Sequence, residues 1–295
     1  MPGERGKEKE GIPRFPRPRR YLGQHFLVDR SVVRKIAELI DPRPGEVVLE
    51  IGPGRGALTE VLVALVPRLV GVEIDRDLAA LLRSRFTQAA LRLIEKDILD
   101  VDLKTLLHEE GGERLLLVGN VPYNITAPLL FHLLAQADCI RKAVLMLQKE
   151  VARRLIARPG PRDYGILSVL LAVRATAAAR LEVLRHAFRP VPKVDSAVVE
   201  LDFAEQVRYP ISDERLFARV VRTAFGQRRK MLRNSLARLV SEYPDVDLEE
   251  IAARAGIDLR RRPETLSVED FVRLSNAFSN GGMSEGDVGK EAGTS

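Results

Sequence analysis

The chain has 295 residues, 45% of them hydrophobic, and it carries 47 Lys and Arg against 41 Asp and Glu, a formal net charge of +6. This size allows one large and one small domain, and the basic balance favours a polyanionic partner such as RNA, although a generally basic surface would explain it equally. The single cysteine, Cys139, excludes a disulfide framework and a Cys-rich zinc site. No apolar run approaches the roughly 20 residues of a membrane span. We therefore expect a cytoplasmic monomer without a metal site.

The amino-terminal region divides into an arm and a loop. Residues 1–20 combine proline, glycine and basic residues with few apolar ones, which predicts a disordered basic arm. Such an arm could contact an RNA backbone or remain a solvated tail. Residues 21–29 are a polar and aromatic loop before a helix predicted over 31–40, which Asp29 or Ser31 would cap. This loop could close over a ligand.

Residues 46–59 predict the centre of the fold. An apolar block at 47–51 is typical of a buried strand, three glycines follow between 52 and 56, and helical spacing then resumes. A strand, a glycine turn and a helix in this order form the entrance of nucleotide-type sites in open α/β sheets. A tight turn with only a structural role is the alternative.

Two acidic residues end the next two predicted strands. Glu73 lies 21 positions after Gly52, and Asp97 ends the third strand. An acid about 20 residues beyond such a turn is placed to accept hydrogen bonds from ribose hydroxyls. The glycine order is G-x-G-x-G-A rather than the G-x-G-x-x-G of pyrophosphate-binding turns, and Glu50 is a poor neighbour for a phosphate. We therefore expect an adenosyl ligand without phosphate, S-adenosylmethionine, rather than NAD.

The remaining pattern predicts an α/β domain followed by an all-α domain. Strands and helices alternate up to about residue 150, which predicts a mostly parallel sheet, and two later strands predict an antiparallel closing pair. We place this domain at 21–207, a helical domain at 208–279 and a disordered tail at 280–295. The later strands are predicted at 115–118, 142–147, 181–184 and 197–203, and the helices of the second domain at 214–225, 228–240, 248–255 and 268–278.

The segment Asn120-Val121-Pro122-Tyr123 follows a predicted strand and would lie beside the adenosyl pocket. An exocyclic adenine amine is a poor nucleophile because its lone pair is delocalised into the ring. The side-chain oxygen of Asn120 and the carbonyl of Val121 could hold the amine hydrogens so that the lone pair faces a methyl sulfonium. Pro122 would fix the local dihedral angle, and Tyr123 would stack on the extracted base. An ordinary proline turn with Tyr123 in the core is the alternative.

Residues 188–196 form a second unusual loop, stiffened by two prolines. We expect it to present Phe188 to the extracted base from the side opposite Tyr123, and Lys193 to hold a phosphate. In isolation, a connection between strands with Phe188 filling the core explains the same residues.

Basic residues are concentrated twice in the helical region. Arginine and lysine clusters of this kind bind RNA backbones by shape and charge, although a charged helix is more often simply solvated. The candidates for RNA binding are Arg228, Arg229, Lys230, Arg233, Arg260, Arg261 and Arg262.

Five segments in order resemble the family of ribosomal RNA adenine dimethyltransferases, and within it the bacterial small-subunit type. They are residues 23–27 (GQHFL), 50–54 (EIGPG), 120–125 (NVPYNI), 188–196 (FRPVPKVDS) and 227–234 (QRRKMLRN). The resemblance spans about residues 20–279. It implies a Rossmann-like class I methyltransferase sheet with a helical carboxyl-terminal domain. It also implies the transfer of four methyl groups to two adjacent adenines in the terminal hairpin of small-subunit rRNA, within an immature 30S particle.

The resemblance also assigns residues. Glu73 would bind the ribose hydroxyls of the cofactor and Asp97 its adenine amine, while Asn120, Tyr123 and Phe188 would hold the target adenine. The full set of expected cofactor-binding residues is Gln24, His25, Leu27, Gly52, Gly54, Glu73, Ile74, Asp97, Ile98 and Asn120.

Two positions depart from the family pattern, which usually has Asn at His25 and Leu at Val121. A backbone contact at His25 would survive the change, whereas a side-chain amide contact would not. A large-subunit rRNA dimethyltransferase of the macrolide-resistance type is one alternative, and an RNA-binding assembly factor with little turnover is another. A small-molecule methyltransferase would leave both arginine clusters without a role.

Overall fold

The computed structural model describes residues 16–19, 22–160, 162–203, 209–243 and 246–281. Nine strands are described: β1 (Phe26–Leu27), β2 (Glu46–Ile51), β3 (Leu69–Glu73), β4 (Leu91–Glu95), β5 (Arg114–Asn120), β6 (Ile140–Gln148), β7 (Ala175–Val183), β8 (Phe188–Arg189) and β9 (Ser196–Phe203). The helices within the same ranges are α1 (Arg30–Glu38), α2 (Thr59–Leu65), α3 (Arg76–Arg85), α4 (Leu103–Glu110), α5 (Thr126–Ala135), α6 (Lys149–Leu155), α7 (Ile166–Ala172), α8 (Glu214–Gly226), α9 (Leu232–Val240), α10 (Leu248–Ala255) and α11 (Val268–Asn280).

Seven strands form one sheet in the order β4-β3-β2-β5-β6-β9-β7. The five strands from β4 to β6 are parallel, while β9 pairs antiparallel with both β6 and β7. The predicted mostly parallel sheet with an antiparallel closing pair is confirmed. The chain runs from β2 outward to β3 and β4, then returns to start β5 on the other side of β2. This reversal opens a crevice at the carboxyl ends of β2 and β5, where open α/β sheets bind ligands.

The central strands are covered on both faces, as continuous apolar runs predict. Leu49 and Ile51 of β2 point into the core beneath α4 and α5, while Val48 packs into the core beneath α1 and α2. The pairing of β2 with β5 requires Gly119, because a Cβ atom there would lie 2.6 Å from the Ile51 carbonyl oxygen. The two strands that carry the site are therefore held unusually close.

The helical part shares its core with the sheet part. Helices α8 to α11 pack around Phe271 and Phe278, and the same cluster includes Tyr164 and residues Val169 and Leu170 of α7. Asp213 caps α8 through the backbone N–H groups of the first turn, and α11 begins with a capping box at Ser267. The two parts are thus joined by apolar packing, and the predicted boundary at 207/208 falls outside the described residues.

The helix predicted over 228–240 is present, but its predicted start at 228 is wrong. Helix α8 ends at Gly226 and α9 begins at Leu232, so Arg228, Arg229 and Lys230 lie in the turn between them. The reason is tertiary: Leu232 is fully buried, and its backbone N–H donates to the carbonyl of Arg261 over 2.9 Å. The turn at 227–231 allows Leu232 and Phe225 to be buried at the same time.

Several bounds also differ from expectation. Strand β7 begins at Ala175, six residues before its predicted start, because pairing with β9 recruits the alanine-rich stretch. Strands β1 and β8 form a small antiparallel pair that the sequence pattern does not predict. Helix α11 continues to Asn280, beyond its predicted end.

Most of the amino-terminal arm and the tail from 282 lie outside the described residues. Within the described ranges, every helix is too short or too polar to cross a membrane.

Candidate active site

A pocket opens at the carboxyl ends of β2, β3, β4 and β5, and the loop before β1 covers one side of it. Nine of the ten expected cofactor-binding residues line it: Gln24, His25, Gly52, Gly54, Glu73, Ile74, Asp97, Ile98 and Asn120. Leu27 does not, because its side chain is buried in the core below β1. The predicted cofactor contact of Leu27 would therefore have to come from its main chain. Val121, Pro122 and Tyr123 line the same pocket.

The glycine turn leaves backbone surface open to a ligand. Gly52 has a φ of +62°, and no atom lies within 4 Å of the place that its Cβ would occupy. Gly54 has a φ of +60°, and its backbone N–H donates to Glu73 Oε2 over 2.9 Å. Positive φ angles favour glycine because side chains are strained there. The turn is thus built so that a ligand can approach the main chain at Gly52.

Glu73 fastens the glycine turn to the end of β3. Its other oxygen, Oε1, accepts the backbone N–H of Asp75 over 3.0 Å, and the side chain is buried. Burial raises the pKa of the Glu73 carboxyl, while the two backbone donors oppose that rise. A carboxylate oxygen can accept a second hydrogen bond, so two ribose hydroxyls can bind without breaking either backbone contact.

The opposite wall combines an apolar face with a carboxylate. Ile74 is 46% exposed although it is a large hydrophobic residue, and Ile98 is buried behind the pocket surface. Asp97 Oδ1 accepts the backbone N–H of Leu99 over 3.0 Å, which leaves Oδ2 able to accept from a ligand. An aromatic ring that carries an amino group suits this pair, because Ile74 offers packing area and Asp97 offers an acceptor.

Asn120 lies at the boundary between the cofactor pocket and the side of it, called the target side below, where the target adenine is expected to bind. Its Nδ2 donates to the carbonyl oxygen of His25 over 2.7 Å. A carbonyl only accepts, so this contact fixes which end of the amide is nitrogen and leaves Oδ1 as the acceptor turned to the pocket. The neighbouring residue, Val121, is buried and donates its backbone N–H to Met146. The contact to His25 involves the main chain only, so a histidine there preserves it.

Tyr123 is held at its ring and at its hydroxyl. The ring stacks on His25 with centroids 5.5 Å apart and planes inclined by 30°, and the hydroxyl lies 2.9 Å from Ser196 Oγ. Burial raises the pKa of the Tyr123 phenol, so the group is neutral at physiological pH. His25 is itself fixed by the contact of Nδ1 with the Pro190 carbonyl over 2.8 Å. His25 therefore covers one face of the Tyr123 ring.

Phe188 is not accessible to a base. Its side chain is fully buried, and β8 pairs Phe188 with Leu27 of β1. The expectation that the 188–196 loop presents this ring to the target is wrong, because strand pairing turns it into the core. The loop instead supplies the Pro190 carbonyl and Ser196. Sequence reasoning also missed Asp75, the N-cap of α3; an acid just beyond a strand end, where a helix can begin, was the available signal.

The basic candidates differ in how their charges are compensated. Arg260 pairs with Asp258, Arg261 with Asp270, and Arg233 with Glu249. Arg228 lies 3.7 Å from Glu264. Within the described part of the chain, no acidic side chain pairs with Arg229, Lys230 or Arg262, and these three are exposed.

A basic surface connects the target side of the pocket with the helical part. A groove beside the 188–196 loop and a cleft between α6 and α8 share Glu150 and Arg153, so they are continuous. The cations that line them are Lys149, Arg153, Arg185 and Lys193 in the groove, and Arg153, Arg154, Arg162 and Arg228 in the cleft.

Comparison with known proteins agrees with this geometry. A family model described as "Ribosomal RNA adenine dimethylase" matches residues 16–280. A relative from Geobacter metallireducens called "Ribosomal RNA small subunit methyltransferase A" is 46% identical over 91% of this chain and 97% of its own length. A relative of the same name from Leptothrix cholodnii is 45% identical over 88% of this chain and 92% of its own.

Solved structures show the same fold. The crystal structure of a dimethyladenosine transferase from Plasmodium falciparum aligns with a TM-score of 0.71 at 23% identity, covering 88% of this chain and 99% of that one. The structure of the 23S rRNA methyltransferase ErmE aligns with a TM-score of 0.64 at 27% identity, covering 86% of this chain and 99% of that one. This chain belongs to the ribosomal RNA adenine dimethylase family.

Proposed function

We propose that this protein transfers methyl groups from S-adenosylmethionine to N6 of two adjacent adenines in the 3′-terminal hairpin of small-subunit rRNA, dimethylating each. The observation that carries the proposal is the amide of Asn120, which lines the pocket and whose Nδ2 is held by the His25 carbonyl, so that Oδ1 remains as an acceptor. The immature 30S particle would be the partner and the cytoplasm the site of action, because ribosomal subunits are assembled there.

The pocket suits an adenosyl cofactor that has no phosphate. The open main chain at Gly52, the spare acceptors of Glu73 and the exposed face of Ile74 match a nucleoside, whereas a phosphate would meet the carboxylates of Glu73 and Asp97. Bound S-adenosylmethionine would supply a methyl group on a positively charged sulfur. Glu73, Asp97 and Ile74 would hold its nucleoside, and Gly52 would allow the close approach.

Catalysis would consist mainly of positioning. Asn120 Oδ1, together with the Val121 carbonyl, would accept the N6 hydrogens of the target adenine and turn the lone pair toward the methyl carbon. Tyr123 would stack on the base with the ring face that His25 leaves open. The N6 proton is acidic once nitrogen has been alkylated, so the chain needs no strong general base.

The comparison with named relatives favours the small-subunit rRNA over the large-subunit rRNA as substrate. The relatives named for the small subunit are 45–46% identical, whereas the structure named for the 23S rRNA is 27% identical. The basic surface from Lys193 to Arg228 would follow the RNA backbone, with Arg229, Lys230 and Arg262 extending it over the helical part.

Transfer of labelled methyl groups to purified subunits tests the proposal. Unmethylated small and large ribosomal subunits are incubated separately with the protein and labelled S-adenosylmethionine, and the nucleosides are then analysed. We expect N6,N6-dimethyladenosine from the small subunit alone. Label in the large subunit would support the resistance-type enzyme, and cofactor binding without transfer to either would support an assembly factor.

A further inference from the structure

The segment Gly23–His25 joins the cofactor side of the pocket to the catalytic amide. On the cofactor side, Gln24 Nε2 donates to Asp75 Oδ2 over 2.9 Å. On the target side, the carbonyl of the next residue, His25, accepts from Asn120 Nδ2. Consecutive residues therefore link Asp75, at the end of β3, with Asn120, at the end of β5.

Both polar ends of the Gln24 side chain are engaged inside the protein. While Nε2 donates to Asp75, Oε1 accepts the backbone N–H of Arg19 over 2.8 Å. Neither end of the amide is turned to the ligand, although Gln24 lines the pocket. Its side chain therefore acts as a tether rather than as a polar ligand of a cofactor.

Asp75 is a rigid anchor for this tether. It is 1% exposed, its Oδ1 caps α3 by accepting the Asp77 N–H over 3.0 Å, and its own N–H donates to Glu73. Asp75 cannot follow a movement of Gln24 without giving up the helix cap. Gly23, before Gln24, has a φ of +63°, and a Cβ atom there would lie 2.9 Å from Asn124 Oδ1, so this position favours glycine.

We infer that Gln24 is a positioning residue for methyl transfer, which holds the His25 carbonyl where it orients the amide of Asn120. This inference rests on the proposed function. Without the tether, the main chain at His25 depends on the ring contacts of His25 and on the pairing of β1 for its position. A shift of its carbonyl would let the Asn120 amide turn its NH₂ group toward the target amine, placing donor against donor. A displacement of about 1 Å at a reacting group can cost about a hundredfold in rate.

A double-mutant cycle with Gln24→Ala and Asn120→Ala tests the inference. We expect Gln24→Ala to lower kcat on small subunits at least about tenfold, with KM for the subunit and Kd for S-adenosylmethionine each changed by less than about threefold. Adding Gln24→Ala to Asn120→Ala should cost less than about twofold more, because both changes remove the same orientation. Gln88→Ala, in the exposed turn after α3, should leave kcat unchanged.

The outcomes separate this inference from the proposed function. If the kcat losses of the two single variants multiply in the double variant, the role of Gln24 is overturned. A loss of cofactor affinity alone in Gln24→Ala would overturn it as well. The methyltransferase assignment would stand in both cases. Absence of transfer by the unaltered protein would overturn both.

A reciprocal exchange provides the second test. Gln24→Glu alone places a carboxylate beside Asp75 and should lower kcat more than Gln24→Ala does. In the pair Gln24→Glu with Asp75→Asn, the new carboxylate accepts from the Asn side chain and from the Arg19 N–H, so the tether is rebuilt with its polarity reversed. We expect kcat to recover at least about fivefold relative to Gln24→Glu. A pair no more active than Gln24→Glu would contradict the tether.

Discussion

The two halves of the pocket are assembled differently. The cofactor half depends on contacts between neighbouring strands, such as the hydrogen bond from Gly54 to Glu73, 19 residues apart. The target half depends on distant segments: Asn120 contacts His25, 95 residues away, and His25 contacts Pro190, 165 residues away. We therefore expect adenosyl recognition to depend mainly on the sheet, and the orientation of Asn120 to require that the amino-terminal loop and the 188–196 loop be in place. Changes in each half should therefore produce different defects.

The largest effect should come from removing the acceptor of the target half. Asn120→Ala should lower methyl transfer at least about a hundredfold, about 2.7 kcal/mol, because the N6 lone pair is no longer oriented. Cofactor affinity should stay within about tenfold, about 1.4 kcal/mol. Single-turnover label transfer and calorimetric titration of S-adenosylmethionine measure the two quantities, with Asn280→Ala at the exposed end of α11 as the control. Equal losses in both would show that the halves are not separable.

A change in the cofactor half should have the opposite pattern, with cofactor binding weakened. Both oxygens of Glu73 accept backbone N–H groups, so in Glu73→Gln the side-chain NH₂ must face one of those donors. We expect the Kd for S-adenosylmethionine to rise at least about thirtyfold, about 2 kcal/mol, with RNA affinity unchanged. Glu38→Gln, on the exposed end of α1, should alter neither quantity. An unaltered cofactor Kd would remove Glu73 from the site.

The pH dependence of stability tests whether Glu50 belongs to the scaffold of the cofactor half. It is 2% exposed, accepts a hydrogen bond from the Thr59 hydroxyl over 2.7 Å, and has its pKa raised by burial to about 8. The folded chain therefore keeps this proton above the usual pKa of 4.5, and its stability declines as pH rises from about 4.5 to 8.

Glu50→Gln removes this titration while keeping the shape of the side chain. Between pH 5.5 and pH 8, the free energy of unfolding of the variant should increase by about 3 kcal/mol relative to that of the unaltered protein. Urea unfolding at the two pH values measures the difference, and Glu38→Gln should show a constant offset. A constant offset for Glu50→Gln as well would mean that Glu50 is already ionised in the folded protein.

The smallest effect should come from the exposed basic turn between α8 and α9. Reversing Arg229 and Lys230 to Glu should weaken RNA binding and lower the slope of log affinity against log salt by about one for each phosphate that the turn no longer neutralises. Cofactor affinity should not change. Arg260→Glu should have a weaker effect on the slope, because Asp258 already pairs with Arg260. Equal slopes for all three proteins would make the turn an ordinary solvated surface.

The sequence predicts the cofactor half better than the target half for a physical reason. Gly52, Glu73 and Asp97 are found from strand ends and spacing, because parallel strands bring their carboxyl ends to one edge. The sequence leaves open whether Phe188 faces the base or fills the core, because its burial depends on the pairing of β8 with β1, two residues each and far apart in the chain. The start of α9 at Leu232, rather than at 228 as predicted, likewise follows from the contact of Leu232 with Arg261, which no local pattern shows.

Mapping of the modified nucleotides tests the central claim most directly. After incubation of unmethylated small subunits with the protein and S-adenosylmethionine, the 3′-terminal fragment of the rRNA is isolated, and its methylated positions are sequenced by mass spectrometry. We predict N6,N6-dimethyladenosine at two adjacent positions in the terminal hairpin and nowhere else in that rRNA, with none formed by Asn120→Ala on the same timescale. Methyl groups at other positions, or an equally active Asn120→Ala, would contradict the account.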